Sequence, residues 1–341
     1  MPKRIGYLKE QVLTHENCTR AVLVGTANLR KTESIKQIRA NPEEYGEKIL
    51  ERLSQGWIPE PVREKTINEG TGHKVRQLQI PTTSDHLCHV AIMLPLIPYL
   101  ERRFDFYSCG SIKGRGQRRV NETLKAWMKK PVKYAGEADI HHAYAETKPE
   151  VIMAALRRMI KDESYLAWHE QILEQMDGHL AIGFMPSHWY FNLIMTDIDM
   201  KIRQECRGIK LVRYMDNYVF AANRKRTIHK AIRTLIDETE RIGLSVNDNW
   251  QVYRTSARPI EILSYRYFPG YTLLRKKTMY SITKGVKRAG KKLSAHTARS
   301  AMSQIGLLRH CNSYNYRKKH VYPVVSIKAS KEIISKADRS Q

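Results

Sequence analysis

The tetrapeptide Tyr214-Met215-Asp216-Asn217 constrains the fold more than any other feature of this chain. It stands between two β-prone segments, residues 209–213 (IKLVR) and 218–222 (YVFAA). Two strands joined by an acidic two-residue turn place a carboxylate at an exposed hairpin tip, where a metal ion can reach it. Asp-Asn is also a common pair in ordinary turns, so the interpretation depends on the rest of the sequence.

The composition indicates a globular protein with a polyanionic partner. The 341 residues are 42% hydrophobic, and 59 Lys and Arg against 34 Asp and Glu give a formal charge of +25. A charge of this size favours a nucleic acid over an acidic membrane surface. The sequence also shows no long apolar run and no continuous basic amphipathic helix with a strong apolar face, which predicts no membrane partner.

The cysteines and the first residues predict a compartment. Five scattered cysteines without a C-x-x-C pair favour reduced thiols over disulfides or a structural zinc site, and reduced thiols are typical of the cytoplasm. The first six residues lack the apolar core of a secretory signal.

Hydrophobic periodicity predicts an α+β chain rather than a parallel doubly wound fold. Residues 1–60 read as helices, 61–82 as a hairpin and 132–140 as a strand. Further helices are predicted to begin at Pro149 and to cover 164–176, 187–206 and 226–242. From residue 272 onward cations greatly outnumber acids, which predicts a terminal subdomain that grips a nucleic-acid backbone.

A second carboxylate completes a chemical pattern. Asp139 ends the predicted strand 134–138. The segment between Asp139 and Asp216 is long enough to hold a helical segment and a returning strand. Two-metal phosphoryl transfer needs at least two carboxylates that bridge ions about 3.5–4 Å apart. Asp139 and Asp216 supply such ligands, although an Asp at the end of a strand is more often a cap.

Six motifs in order carry a family resemblance. They are residues 74–81 with Asp85, residues 107–110 with 113–116, residues 139–144, residues 214–217, residues 260–266 and residues 306–314. The chain resembles bacterial reverse transcriptases, most of all those of diversity-generating retroelements and their defence-associated relatives. The resemblance implies a right-hand polymerase with fingers (61–130), a palm (131–271, with helices over 149–206) and a helical basic thumb (272–341), after an N-terminal helical region (1–60).

The resemblance also implies roles for individual residues. It assigns metal binding to Asp139, Ile140 and Asp216, beside Tyr214, Met215 and Asn217 of the hairpin. It assigns nucleotide binding to Lys74, Arg76, Tyr144, Gly183 and Asn192. It assigns nucleic-acid binding to Lys113, Arg115, Arg118, Arg119, Tyr265, Arg275, Lys276, Lys277, Lys284, Lys287 and Arg288.

Several of these roles have structural alternatives. Tyr144 is either a steric gate beneath the sugar or a core residue, and Arg76 with Lys74 is either a triphosphate contact or a solvated strand face. Asn192 either forms a hydrogen bond near the sugar or stabilises the following helix. The basic segment 113–119 either meets a template phosphate or forms a surface loop.

Two departures from the family pattern leave the function open. Asn217 replaces the usual second Asp, which predicts weaker metal affinity or a changed ion preference. Phe184, Met185 and Trp189 are bulkier than expected where template and incoming base pass.

The leading expectation is an RNA-directed DNA polymerase using Mg²⁺, with Mn²⁺ as the alternative, in the bacterial cytoplasm. Its expected partners are dNTPs, a structured non-coding RNA, the DNA product, and either a second protein subunit or a second copy of the chain. Its expected setting is antiphage defence or a retroelement, and the bulky residues favour defence. The rivals are template-independent or protein-templated DNA synthesis and a catalytically silent RNA-binding subunit.

Overall fold

The computed structural model describes residues 4–29, 32–69, 74–130 and 132–339, without the side chains of residues 68, 69 and 74. The N-terminal region is helical, as its periodicity predicts, and its helices are α1 (Leu8–Val12), α2 (His15–Thr26), α3 (Glu33–Ala40) and α4 (Pro42–Ser54). Thr14 and Thr32 cap α2 and α3 through their side chains, and Pro42 begins α4.

The next region is a hairpin followed by three helices. The hairpin strands are β1 (Arg63–Glu69) and β2 (Lys74–Ile80), which pair antiparallel, and the helices are α5 (Thr83–Met93), α6 (Ile97–Arg103) and α7 (Gly116–Lys129). The predicted turn at residues 70–72 lies outside the described residues. Asp85 at the start of α5 is fully buried, and its carboxylate accepts hydrogen bonds from the Trp57 indole and the Glu60 amide.

A four-stranded antiparallel sheet forms the centre of the molecule. Its strands are β3 (Tyr134–Asp139), β4 (Lys210–Tyr214), β5 (Asn217–Ala222) and β6 (Gln251–Arg254), in the order β4-β5-β3-β6. The accompanying helices are α8 (Pro149–Met159), α9 (Glu163–Gln175), α10 (Met185–Glu205) and α11 (Lys225–Arg241). These bounds confirm the predicted strands and helices to within a few residues.

Both faces of the central sheet are buried. Along β5, Tyr218 and Phe220 belong to the larger apolar core with the helices, whereas Val219 and Ala221 belong to a second core with α7 and the C-terminal region. Successive side chains of a strand point to opposite faces of the sheet. Because both faces are buried here, β5 is a continuous run of apolar residues rather than an alternation of apolar and polar ones.

The C-terminal region combines a small sheet with helices. The strands β7 (Ile260–Ile262), β8 (Tyr265–Phe268) and β9 (Tyr271–Leu274) pair antiparallel and lead into α12 (Lys276–Lys291), α13 (Ala295–Leu307), α14 (Tyr314–His320) and α15 (Ile327–Arg339). The sequence analysis expected no continuous basic amphipathic helix with a strong apolar face, whereas α12 is a basic and amphipathic helix. Its apolar face, with Ile282, Val286 and Ala289, is buried in the second core.

The described residues hold no helix long and apolar enough to span a bilayer. All five cysteines are free thiols, and four of them are buried.

Candidate active site

The hairpin between β4 and β5 carries Asp216 at its tip. Tyr214 pairs with Asn217, so the two-residue turn consists of Met215 and Asp216, and Asn217 already belongs to the strand. Met215 has a φ of 57°, in the left-handed region that the turns of two-residue hairpins require. The predicted acidic turn is therefore present, and Asp216 lies in it.

The end of β3 brings Asp139 next to this hairpin. Asp139 is the register partner of Asn217, and the Ile140 amide donates a hydrogen bond of 3.1 Å to the Asp216 carbonyl. Both aspartates are partly exposed. The antiparallel register, rather than any local motif, therefore places the two carboxylates at one edge of the sheet.

Each carboxylate accepts a hydrogen bond from an asparagine amide. Asn217 Nδ2 donates to Asp216 Oδ1 at 3.0 Å, and Asn247 Nδ2 donates to Asp139 Oδ2. The Asn247 backbone amide also donates to the Asp139 carbonyl at 2.9 Å. The sequence analysis missed Asn247, because 108 positions separate it from Asp139 and no local pattern indicates this contact.

The donor set at this edge suits a divalent cation that prefers oxygen. It offers the carboxylates of Asp139 and Asp216, and Ile140 can contribute only its main-chain carbonyl. Oxygen ligands of this kind are typical of Mg²⁺ and Mn²⁺ sites. In the described part of the chain, no group of three or more His, Cys, Asp and Glu side chains is arranged to hold a metal.

Tyr144 lies close to the same edge. Its half-buried side chain has its ring centroid 5.5 Å from that of Phe191, in the turn region after β3. Burial, and secondarily the charge of Asp216, raises the pKa of the Tyr144 hydroxyl well above its usual value. The Tyr144 side chain is therefore close enough to Asp216 for the charge of that carboxylate to affect its hydroxyl.

Residues 67–267 match the protein family described as Reverse transcriptase (RNA-dependent DNA polymerase). The chain belongs to the reverse transcriptase family. The description of this family agrees with the predicted class of RNA-directed DNA polymerases, and divalent metal ions are typical of the family. No curated protein matches the sequence.

Solved structures share the fold at low sequence identity. Telomerase from Candida albicans, in complex with the TWJ fragment of telomeric RNA, has a TM-score of 0.51 at 11% identity, over 78% of this chain and 56% of that chain. Telomerase from Candida tropicalis with the same RNA fragment has a TM-score of 0.50 at 12% identity, over 82% and 58%. Apo telomerase from Candida tropicalis has a TM-score of 0.52 at 12% identity, over 72% and 52%.

These likenesses show the fold alone, and they confirm the predicted right-hand polymerase architecture. The chain spans only 52–58% of the length of these telomerase chains.

Within the reverse transcriptase fold, Gly183 serves a contact between two subdomains. Its φ is 122°, and a Cβ atom there would lie 2.3 Å from the Gln79 carbonyl oxygen of β2. The Gln79 amide also donates to the Ile182 carbonyl at 3.0 Å. The close approach of β2 therefore explains why residue 183 has no side chain, and no contact with a nucleotide is needed to explain it.

Asn192 is buried beneath the hairpin rather than facing a nucleotide. It is fully buried, and its side-chain amide donates to the carbonyls of Gly110 (3.1 Å) and His188 (2.9 Å). This position contradicts the predicted contact near the sugar and agrees with the structural alternative.

The other predicted nucleotide contacts lie on β2. The side chain of Lys74 lies outside the described residues, and Arg76 is half-buried.

The basic segment before α7 is partly structural. Arg115 donates to the carbonyls of Asp105 (2.7 Å) and Glu101 (3.1 Å), which ties the segment to the end of α6. Arg118 pairs with Glu122 at 2.8 Å, and Arg119 lies 4.0 Å over the Phe106 ring. Lys113 is exposed and is the member of this set best placed for a phosphate.

The predicted nucleic-acid contacts of residues 265–288 divide into a buried and an exposed set. Tyr265 is fully buried and donates its hydroxyl to the Leu307 carbonyl at 2.9 Å, so the prediction that it touches nucleic acid is wrong. Arg275 pairs with Glu261 at 3.0 Å but keeps an exposed side chain. The remaining predicted thumb cations, all exposed on α12, are Lys276, Lys277, Lys284, Lys287 and Arg288.

The bulky residues expected in the substrate channel mostly belong to the core. Phe184 is 4% exposed and stacks on His89, and Trp189 is 6% exposed and stacks on Phe104. Met185 is partly buried against the same core. The expectation that bulky Phe184 and Trp189 lie where template and incoming base pass is wrong, because both side chains pack into the core at the start of α10.

A polar cavity of about 180 Å³ adjoins Asp139 between the central sheet and β7. Its lining includes Glu137, Asn217, Asn249, Gln251, Glu261 and Arg275. The Glu261 amide donates to Glu137 Oε1 at 2.8 Å, which fixes β7 against the palm. The hydrogen-bonding groups of this lining suit a polar ligand better than an apolar one.

Proposed function

We propose that this chain is an RNA-directed DNA polymerase that extends the 3′ end of a primer by two-metal-ion phosphoryl transfer. The observation that carries the proposal is the register of β3 with β5, which sets Asp139 beside the Asp216 hairpin. Family membership supports RNA-directed DNA synthesis, and the oxygen-only donor set supports Mg²⁺, with Mn²⁺ as the alternative.

The residues of the chain bind and orient the reactants. Asp139 and Asp216, with the Ile140 carbonyl, would hold the divalent ions. When bound, such ions lower the pKa of a hydroxyl nucleophile and neutralise the charge of the triphosphate. The amides of Asn247 and Asn217 hold their carboxylates in fixed directions, and this limits the rearrangement needed when a nucleotide arrives.

Nucleotide selection is assigned to Tyr144. A rigid ring beside Asp216 leaves room for a deoxyribose and clashes with a ribose 2′-hydroxyl. The cations of β2, Lys74 and Arg76, are proposed to meet the triphosphate.

The thumb is proposed to hold the duplex and a structured RNA. Residues 272–341 contain 17 Lys and Arg and only two Asp and Glu, so most of the net charge lies in one fifth of the chain. Such a surface binds phosphates without reading sequence, and its affinity depends strongly on salt. Two of the similar telomerase structures contain an RNA fragment, which supports an RNA partner. The proposed partners also include a second protein subunit or a second copy of the chain.

The biological setting is inferred from the motif resemblance to bacterial enzymes of retroelements and antiphage defence. The burial of Phe184 and Trp189 removes the reason to favour defence over a retroelement. Free, mostly buried thiols agree with a cytoplasmic location.

One observation favours a second candidate, a catalytically silent RNA-binding subunit. Asn217 stands where the family pattern has an Asp, and its amide occupies one oxygen of Asp216. A site with one charge fewer binds cations less tightly. Protein-templated synthesis, by contrast, loses its support, because Phe184 and Trp189 are core residues.

The test is incorporation of labelled dNTPs by protein purified with its co-purifying RNA, with each dNTP alone and all together, in Mg²⁺ or Mn²⁺. Asp216→Asn removes one charge with little change in shape and should abolish incorporation. Asp237→Asn, on the exposed face of α11, is the matched control and should leave it unchanged.

The outcomes separate the candidates. Product that needs intact RNA and wild-type Asp216 supports the proposal, and sequencing that RNA identifies the template. Product that survives complete RNA removal indicates untemplated synthesis. Tight RNA binding without product under any condition favours the silent subunit.

A further inference from the structure

A buried ion pair lies directly beneath the catalytic hairpin. Arg213 on β4 and Asp199 on α10 are both fully buried, and Arg213 Nε lies 2.9 Å from Asp199 Oδ2. Tyr218 donates its hydroxyl to Asp199 Oδ1 at 2.7 Å. A buried charge pair is costly to desolvate, so a packed apolar pair would often be at least as stable. Fold stability alone therefore does not account for this pair.

The guanidinium of Arg213 is the centre of a hydrogen-bond network. It donates to Asn192 Oδ1 at 3.0 Å and to Ser108 Oγ at 2.8 Å. One further bond reaches the hairpin itself, because Arg213 Nη1 donates to the Met215 carbonyl at 3.0 Å. The planar fork of an arginine can satisfy such a set of acceptors, whereas a lysine ammonium cannot match its geometry.

The bond to Met215 acts on a strained residue. Met215 has a φ of 57°, a conformation that a non-glycine residue keeps only when its surroundings fix it. Asp216 follows immediately in the chain. A change in the Met215 peptide therefore moves the catalytic carboxylate.

The opposite side of the hairpin is closed by the segment 107–110. The Cys109 amide donates to the Arg213 carbonyl at 2.8 Å, and the Arg213 amide donates to the Tyr107 carbonyl at 3.0 Å. A Cβ atom on Gly110 would lie 2.6 Å from the Met215 nitrogen. The turn is thus held between Gly110 and the Arg213 guanidinium.

We propose that Arg213 is a positioning residue, which fixes the Asp216 carboxylate through the Met215 carbonyl, with Asp199 as its buried counter-charge. This inference rests on the proposed polymerase function. It assigns to the pair the task of orienting a metal ligand, in addition to any contribution to packing.

The first test compares Arg213→Lys with Tyr218→Phe. Arg213→Lys keeps a positive charge beside Asp199 but loses the fork that reaches Met215. Tyr218→Phe removes one hydrogen bond from the same Asp199 and leaves Met215 held. Single-dNTP incorporation is measured at saturating Mg²⁺, together with the thermal unfolding temperature of each variant.

For Arg213→Lys we expect kcat to fall tenfold or more, with the KM for dNTP within about twofold of wild type. Tyr218→Phe should keep kcat within about twofold even where its unfolding temperature falls. An unchanged kcat in Arg213→Lys would overturn the proposal, and so would an equal loss of kcat in both variants.

A second variant is used if the first does not fold, and a second measurement is used if the wild-type protein shows no polymerase activity. If Arg213→Lys does not fold, Arg213→Met with Asp199→Leu replaces the ion pair by apolar side chains and leaves the Met215 carbonyl unheld. Mn²⁺ binding to the RNA-free protein, followed by electron paramagnetic resonance, needs no turnover.

Whichever of these variants folds should bind Mn²⁺ several-fold more weakly than Tyr218→Phe. Equal Mn²⁺ affinity in that variant and Tyr218→Phe would overturn the positioning role, even if the wild-type protein shows no polymerase activity. An inactive wild type whose Mn²⁺ binding still depends on Arg213 would overturn the proposed function alone.

Discussion

At the scale of single residues, Asp139 and Asp216 differ in where their asparagine partners lie in the sequence. Asn217 follows Asp216 directly, so its replacement of an acid is visible in the sequence, but the hydrogen bond of 3.0 Å that it donates is not. Asn247 reaches Asp139 only because residues 245–247 run alongside the end of β3. The sequence therefore shows that Asn217 lowers the negative charge of the site. It does not show that Asn247 orients the Asp139 carboxylate.

Asn217→Asp should tighten metal binding. The change adds a negative charge beside Asp216 and replaces a hydrogen-bond donor by an acceptor. We expect the Mg²⁺ concentration for half-maximal dNTP incorporation to fall several-fold, because an added charge near the ions strengthens their attraction.

Asn223→Asp, which adds the same charge just after the far end of β5, is the control and should leave the Mg²⁺ dependence unchanged. Loss of activity in Asn217→Asp at every Mg²⁺ concentration would mean that the amide hydrogen bond is essential.

Tyr144→Ala should relax sugar selection. The ring of Tyr144 lies beside Asp216 and Phe191, and its removal opens space for a 2′-hydroxyl. We expect the ratio of kcat/KM for dNTP over rNTP to fall by tenfold or more in Tyr144→Ala and to stay near wild type in Tyr144→Phe. An unchanged ratio in the alanine variant would remove the gate role and leave Tyr144 as a packing residue.

At the scale of elements, helix α12 has one face buried in the core and an opposite face that exposes cations. Ile282, Val286 and Ala289 point into the second core, and the opposite face exposes cations at helical spacing. The exposed side chain of Tyr280 lies within the same helix. Packing therefore holds the helix in place, and its outer face remains available for phosphates.

Neutralising three cations of α12 should weaken nucleic-acid binding and reduce its dependence on salt. For Lys284→Gln, Lys287→Gln and Arg288→Gln together, we expect the slope of log K against log salt to become shallower by roughly 0.9 for each phosphate that is no longer neutralised. Binding of a primer–template duplex is measured across a salt series.

The matched control neutralises three exposed cations of α11: Lys225→Gln, Arg226→Gln and Arg233→Gln. An equal change in slope for both triple variants would show that α12 contributes only to the general charge.

At the scale of the whole molecule, buried histidines couple stability to pH. His89 and His169 are fully buried, and desolvation lowers the pKa of each to about 3. The unfolded chain takes up these protons near pH 6.5, whereas the folded protein does not. The free energy of unfolding should therefore fall as the pH drops below about 6.5, by up to ~1.4 kcal/mol per pH unit for each imidazole.

His89→Phe should remove part of this acid sensitivity. His89 stacks on Phe184 and meets Trp57 edge to face, so a phenyl ring suits its surroundings. In urea unfolding of RNA-free protein, we expect the stability of His89→Phe relative to wild type to rise by ~1–2 kcal/mol between pH 7 and pH 5. His296→Gln, at an exposed position on α13, should show no such gain. If the difference in unfolding free energy between His89→Phe and wild type does not change with pH, His89 is not a source of the acid sensitivity.

Local sequence patterns predict the α+β class, the order of the elements and the two aspartates, Asp139 and Asp216, that the fold brings together. Alternating apolar residues, helix-starting prolines and the acidic turn are local signals, and local geometry follows from them. Which side chains face solvent and which distant residues meet follows from tertiary packing. It buried Asn192, Tyr265, Phe184 and Trp189 and brought Asn247 to Asp139. Burial and long-range hydrogen bonds depend on how whole elements pack, and the sequence spacing of single residues does not encode that.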